Sequence, residues 1–322
     1  MDERYDVVVV GGGAAGLSGA LALARARRRV LVVDAGEPRN APAGHVHNYL
    51  AREGIPPAEL LAAGRAEVTG YGGTVIAGRV TAIERCPDGG FRVTLEDGRR
   101  TDARRLLVTT GLVDELPDVP GVGERWGRDV LHCPYCHGWE ARDRAVGVLA
   151  TGPLAVHQAS LWRQLSDDVT LFRHTGPAPT DDELEQLAAR GVRVVDGAVA
   201  GLVVEGDRLT GVRLASGEVL PRDVVVVTPT FTARSALLTA LGLETAEQAM
   251  NGAVVGTFVP ADPMGATAAP GVWVAGNVAA LQAQVISSAA AGLTAGAAIN
   301  ADLVAEDTRA AVVAARELAA VS

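Results

Sequence analysis

An α/β fold of two Rossmann-like dinucleotide-binding domains, the second inserted in the first, is predicted by three features of the sequence. A Val-rich strand runs into a complete glycine turn and a helix near the start of the chain. A degraded copy of that strand, turn and helix begins at Ala145. Hairpin signals follow each copy, and each unit then closes on a β-branched strand.

In the first copy, Val7 to Val10 reads as a buried parallel strand, followed by "GGGAAG" from Gly11 to Gly16 and an Ala/Leu-rich helical stretch through Arg27. Gly11, Gly13 and Gly16 fill the three glycines of G-x-G-x-x-G, which serve a tight turn, close backbone approach to a pyrophosphate and close helix packing. The next strand, Val30 to Val33, ends at Asp34. An acid there, about 20 residues on, is placed to accept hydrogen bonds from a ribose diol. A glycine turn alone is common; strand, turn, helix, strand and acid in this order point to a bound dinucleotide.

Turns at Asp88-Gly89-Gly90 and Asp97-Gly98 then predict hairpins, and "LLVTTG" at 106 to 111 closes the unit. The second copy reads "AVGVLATGPLAVHQA", with only Gly152 retained and Ala150 and Ala155 in the first and third glycine places. Its hairpin signals lie at Glu205-Gly206-Asp207 and Ser216-Gly217, and its closing strand is "VVVVTPT" at 224 to 230. With crossovers in "LVDELPDVPGVG" and near "TPTFTARS", the predicted division is 1–114 for the first part of one domain, 115–232 for the inserted domain and 233–322 for the second part.

Composition narrows the function. The 322 residues carry a formal charge of −9 with scattered Arg, so no basic stripe offers itself to a phosphate backbone and nucleic acid is not an expected partner. The chain has no lysine; all 29 of its Lys and Arg residues are Arg, which excludes Schiff-base chemistry. "MDERYDVVVV" has no basic n-region, h-region and cleavage site, and no apolar run reaches the roughly 18 residues of a membrane span. The expected location is therefore the cytoplasm, away from membranes. In that reducing compartment a cysteine pair is catalytic more often than structural.

Such a pair stands in "HCPYCHGW" at 132 to 139, which holds two of the three cysteines. As a bare pattern, Cys133-Pro134-Tyr135-Cys136-His137 fits haem attachment, half of a zinc site or a redox dithiol. Haem attachment conflicts with the missing export signal. Zinc would need His132, Cys133, Cys136 and His137 to converge on one tetrahedral ion, which adjacent residues rarely do. Two dinucleotide folds favour the redox pair. Cys86, beside Pro87 in a hairpin turn, reads as an incidental surface thiol, and His45 and His47 read at most as pocket lining. Trp139, Trp162 and Trp273 are expected to be packing residues. "TRAAVVAARELAAVS" reads as a helix that serves a dimer or covers the core.

Together, "GGGAAG", "VHNYL" at 46 to 50, "CPYCHG" at 133 to 138 and "PGVWVAGN" from Pro270 to Asn277, followed by "AQVISSAAAGLTAGAAI", resemble the low-molecular-weight thioredoxin reductases along essentially the whole chain. More narrowly, they resemble the dithiol oxidase branch, similar to the enzymes that close the disulfides of holomycin and gliotoxin. The resemblance implies a homodimeric flavoprotein in which the first unit and the C-terminal segment bind FAD, with the CxxC facing the flavin. It places Asn48 beside the isoalloxazine, Gly111 at the end of the FAD-domain strand, and Gly276 and Asn277 at the pyrophosphate and ribityl chain. Ala15 and Val80 join the implied FAD contacts, and Gln284 and Val285 begin the last helix, whose positive end faces the reduced flavin.

Four departures from the reductase pattern bear on the reaction. Asn277 stands where the family usually has Asp, and Ala283 where the reductases have Arg. After the second copy, "VTLFRHTGPAP" supplies only Arg173 and His174 as cations, too few for a ribose phosphate dianion. His137 replaces the Asp that follows the second cysteine in reductases, and an imidazole with an ordinary pKa of about 6.5 can take a thiol proton near neutral pH. The implied function is FAD-dependent oxidation of a small-molecule dithiol through Cys133, Cys136 and His137, with oxygen as final acceptor and no metal. The alternatives are an NADPH-dependent thioredoxin reductase and a non-catalytic redox or metal-binding module.

Overall fold

Alternation along the first strand decides how the larger sheet is covered. In the computed structural model, of which residues 4–321 are described, the strand Arg4–Val10 lies in parallel between Val30–Asp34 and Arg100–Val108. Val8, Val10, Leu31, Val33, Leu106 and Val108 face one core, and Val7, Val9, Val30, Val32 and Leu107 face another. A strand buried on both faces reads as a continuous run of Val, as this one does.

Strand Arg100–Val108 is long enough to serve two neighbours on its far edge. Its first half pairs antiparallel with Phe91–Leu95, matching Phe91 to Ala103, and its second half pairs in parallel with Val272–Val274, matching Trp273 to Leu107. The C-terminal segment thereby completes the first sheet. Helix Ala14–Arg25 packs against helix Val285–Val321 with backbones in near contact, because a Cβ on Gly292 would lie 1.9 Å from the carbonyl oxygen of Ala15. Ion pairs of Arg104 and Arg105 with Asp302, Glu306 and Asp307 fix the long helix further along.

The inserted unit has its own five-stranded parallel sheet, ordered Arg193–Val195, Val169–Phe172, Val146–Leu149, Val224–Val226 and Val130–Leu131. A three-stranded antiparallel sheet of Val199–Glu205, Arg208–Leu214 and Val219–Pro221 packs on it. The chain passes between the two sheets through strands Leu112–Glu115 and Thr230–Ala233, which pair antiparallel from Leu112 and Ala233 to Glu115 and Thr230.

Several local expectations need correction. The first helix ends at Arg25, with Arg27 at φ 63° turning the chain, and the closing strand is Arg100–Val108 rather than 106 to 111. "VVVVTPT" breaks into Val224–Val226 and Thr230–Ala233, since its proline cannot extend the ladder. Trp139 is 67% exposed, unlike the buried Trp162 and Trp273. The C-terminal stretch continues helix Val285–Val321 and leaves residues 307–320 exposed, so it does not cover the core. Among the described residues, no helix is long and apolar enough to cross a membrane.

Candidate functional site

The glycine turn of the first unit opens onto a cavity of about 1160 Å³ that also reaches the cysteine pair. Each glycine there has a distinct reason. Gly11 has φ +108°, a conformation that side chains disfavour, and a Cβ on Gly16 would lie 1.9 Å from the Gly11 carbonyl oxygen. A Cβ on Gly13 would meet nothing within 4 Å. Gly13 therefore borders free space at the start of helix Ala14–Arg25, where backbone N–H groups and the helix dipole favour a phosphate.

The rest of the cradle comes from distant parts of the chain. Ala15, Asp34, Val80, Gly276, Asn277, Gln284 and Val285 line the same cavity. Gly276, at φ +76°, sits so close to Ala15 that a Cβ would be 3.0 Å from that methyl. Asp34 already accepts from the backbone N–H groups of Gly12 and Gly36, at 3.3 and 3.1 Å through Oδ1. Asn277 turns its amide nitrogen inward, donating to the carbonyls of Ala280, Leu281 and Ala283. It ties the loop that enters the last helix. These residues fit a dinucleotide, with an open glycine turn at one end and an acid for a ribose beside it.

Three expected residues stand off the cavity wall. Gly16 lies beneath the turn, while Gly111, at φ +72°, makes the bend between strands Arg100–Val108 and Leu112–Glu115. Asn48, at φ 59°, donates its side-chain amide to the carbonyl of Tyr135 at 2.6 Å, and its backbone N–H to Glu53 at 2.8 Å. Its visible task is to hold the cysteine loop.

Cys133 and Cys136 are joined as a disulfide across the short helix Pro134–His137. Pro134 suits the first helical position because the missing N–H would have had no partner there. Gly138 is required by packing, since a Cβ would lie 2.2 Å from the Pro134 carbonyl oxygen and 2.3 Å from Leu165. His132, Cys133, Tyr135, Cys136 and His137 all border the cavity.

His137 Nε2 is buried with no hydrogen-bond partner. Burial pushes the imidazole pKa below its ordinary value, with Glu140 pulling it up and His47 pushing it further down. The ring is thus a neutral base at neutral pH. His47 also lines the cavity and pairs with Glu53 at 2.6 Å and Glu140 at 3.5 Å. Glu53 and Glu140 were not legible as site residues, for nothing in their spacing sets them beside a histidine. His45 is at the wall too, 6.1 Å from His47 between ring centroids. Cys86 lies in its hairpin turn, half-buried, with its thiol pKa raised by burial.

The second turn is arranged differently. Gly176 donates its backbone N–H to the carbonyl of Ala150 at 2.9 Å, folding the following loop onto the degraded turn. Arg173 pairs with Asp196 at 2.6 Å, and His174 Nδ1 accepts from the backbone N–H of Val199 at 3.0 Å. Both candidate cations are engaged within the protein.

Comparisons with known proteins agree with this architecture. The model of the family "pyridine nucleotide-disulphide oxidoreductase" matches residues 5–296. The "thioredoxin reductase tcpT" of Claviceps purpurea is 30% identical over 94% of this chain and 95% of its own length. A "probable thioredoxin reductase" of Arthroderma benhamiae is 36% identical over 53% of this chain, a match that spans 44% of that protein. The crystal structure of HlmI superposes with a TM-score of 0.90 at 50% identity, covering 98% of each chain. With a disulfide and a dinucleotide cradle on one cavity, the chain belongs to the pyridine nucleotide-disulphide oxidoreductase family, as a thiol-disulfide oxidoreductase of thioredoxin reductase-like fold.

Proposed function

We propose that the protein oxidises a small-molecule dithiol to its disulfide, with FAD in the first cradle and oxygen as the final acceptor. The observation that carries this reading is the contrast between the two turns. The first keeps all three glycines and lies on the cavity with the disulfide, while the second keeps only Gly152 and has its Arg and His engaged within the protein.

A substrate thiolate attacks the Cys133 sulfur, breaking its bond to Cys136 and releasing that sulfur as a thiolate. The second substrate thiolate then attacks the substrate sulfur of the mixed disulfide, so the cyclic product leaves and Cys133 becomes a thiolate. The cysteine pair now holds the two electrons that the dithiol lost. His137 takes a thiol proton in the first step, and His47, paired with Glu53 and Glu140, lines the same cavity. Bound FAD supplies the two-electron acceptor that returns Cys133 and Cys136 to the disulfide and passes the electrons to oxygen.

The test is anaerobic. Purified protein is mixed with NADPH in one cuvette and a small dithiol in another, and the flavin band is followed. The dithiol should bleach it quickly and NADPH poorly, with hydrogen peroxide formed in air. Rapid bleaching by NADPH at modest concentration would replace the oxidase with a reductase.

A further inference from the structure

His132 stands where a strand of the inserted unit runs into the cysteine loop. Strand Val130–Leu131 pairs in parallel with Val224–Val226, and the backbone N–H of Val227 donates to the Leu131 carbonyl at 2.9 Å. The Val227 carbonyl in return meets Nδ1 of His132 at 3.0 Å. A carbonyl oxygen only accepts, so Nδ1 carries a hydrogen and donates it. The ring also makes a T-shaped contact with Phe231, with centroids 5.5 Å apart. Phe231 is covered in turn by Arg39 at 5.3 Å, which pairs with Asp114.

These contacts fix the place and the tautomer of an imidazole that has no task in the two exchange steps above. Burial lowers its pKa, the Val227 carbonyl and Asp114 draw it up, and Arg39 pushes it down. The ring is neutral near pH 7, and with the hydrogen on Nδ1 the lone pair is on Nε2. Among the described residues Nε2 has no hydrogen-bond partner, and it is not one of the side-chain nitrogens closed off by burial. His132 lines the cavity together with Cys133, the next residue, while Val227 is buried. One edge of the ring is bound to the protein and the other is open to the cavity.

The proton balance has a place for it. Closing a dithiol to a disulfide gives up two electrons and two protons. The cysteine pair takes the electrons and His137 takes one proton, so the second thiol still needs an acceptor. At pH 7 a thiol of pKa about 8.5 is only about 3% ionised. Resting on the dithiol oxidase reading above, we propose that His132 is the second general base, whose Nε2 takes the proton of the second substrate thiol as that sulfur attacks the mixed disulfide. A bond forms between the two substrate sulfurs, and the bond from substrate sulfur to Cys133 breaks. The Cys133 sulfur keeps that electron pair as a thiolate. The imidazolium formed on His132 is its neighbour in the chain, and a cation beside a thiolate favours its departure.

The test uses the FAD-loaded enzyme under anaerobic conditions, with dithiothreitol as the dithiol. His132→Asn offers an amide N–H in place of Nδ1–H, so the tie to Val227 is kept while the basic nitrogen is lost. Flavin content and the disulfide should be unchanged. Bleaching at pH 7 should be about 100-fold slower, the low end of general-base contributions, and should recover about tenfold per pH unit up to the thiol pKa. Acid quenching followed by mass spectrometry reads the step itself: the variant should accumulate protein carrying one dithiothreitol on Cys133, which the wild-type protein should not. His132→Gln, which also lacks a base, should behave alike, and it decides the matter where the Asn variant fails to hold flavin.

Bleaching at the wild-type rate in a flavin-loaded variant at pH 7 would overturn the assignment and leave His132 as a tie to Val227. Slow bleaching without the adduct would place the loss in the first exchange and overturn it as well, as would a loss that did not shrink with rising pH. Failure of the dithiol reading itself looks different: dithiothreitol would then fail to bleach the wild-type flavin.

Discussion

Replacing His137 by Ala isolates the proton chemistry from the electron chemistry. The imidazole is neutral near pH 7 because burial holds its pKa below the ordinary value, so it is ready to receive a proton. General-base contributions run from about 10²- to 10⁴-fold. The low end applies here, because Nε2 is buried with no partner to orient the ring. A loss of about 100-fold in anaerobic flavin reduction by dithiol is therefore expected at pH 7. A thiol of pKa about 8.5 is only about 3% ionised at that pH, so raising the pH can return about 30-fold by supplying thiolate from solution. The variant should climb about tenfold per pH unit up to the thiol pKa, leaving a deficit of about threefold. The wild-type rate should fall on the acid side instead, as the pH drops through the lowered histidine pKa and the base becomes protonated. Stopped-flow bleaching from pH 5.5 to 9 measures both limbs, with bound flavin and disulfide content checked first. Near-normal reduction at pH 7 would show that the proton goes elsewhere, and an equal loss at pH 7 and pH 9 would make His137 a packing residue.

Gly13→Val should give colourless protein, because the side chain would fill the free space where a Cβ now meets nothing within 4 Å; stoichiometric absorbance near 450 nm would refute the placement of FAD. The two cysteines should be unequal: Cys133→Ser leaves Cys136 as a thiolate against the flavin and should show a long-wavelength charge-transfer band that Cys136→Ser lacks. Both variants should lose dithiol turnover, and a band that followed Cys133 would reverse their roles.

Much of the fold was legible because its signals are local. A glycine turn between a Val strand and an Ala/Leu helix is written within about 30 residues, the span of one strand-helix-strand unit, and hairpin turns are written within four. The cavity was legible in part, through glycines whose backbone demands only glycine meets. The rest depends on residues that folding brings together. Asn48 and Tyr135 are 87 positions apart, and no pattern in either segment announces that the amide of one ties the loop of the other. Asn277 reads equally well as a ligand or as a loop tie, since an amide can donate in either direction. Trp139 reads as core from its size and lies at the surface, stacked under Arg142 at 4.2 Å. Gln158 sits inside what reads as a failed nucleotide helix, and only folding brings that helix to the wall of the cavity that also holds the disulfide.

The contacts between the two units bear on why the second turn could degrade. The loop that follows Asp34 grips the inserted unit at three points, where Pro42 packs against Gly127, Asn48 holds Tyr135 and His47 meets Glu140, and Arg39 ties the same loop to Asp114 of the connecting strand through two hydrogen bonds of 2.7 and 2.5 Å. Gly127 is required at that contact, for a Cβ there would lie 2.7 Å from Pro42. A hydrogen bond such as Asn48 to Tyr135 is worth roughly 0.5–1.5 kcal/mol, and with the packing and the ion pair beside it, it helps hold the disulfide at the cavity. An enzyme that had to turn its inserted unit to bring a second dinucleotide to the flavin would break all of them in every cycle. One that receives its electrons from a dithiol arriving at Cys133 has no such need. On the proposed reading the grip and the degraded turn are two sides of one economy of motion: once the disulfide stays at the cavity, selection on the second turn lapses.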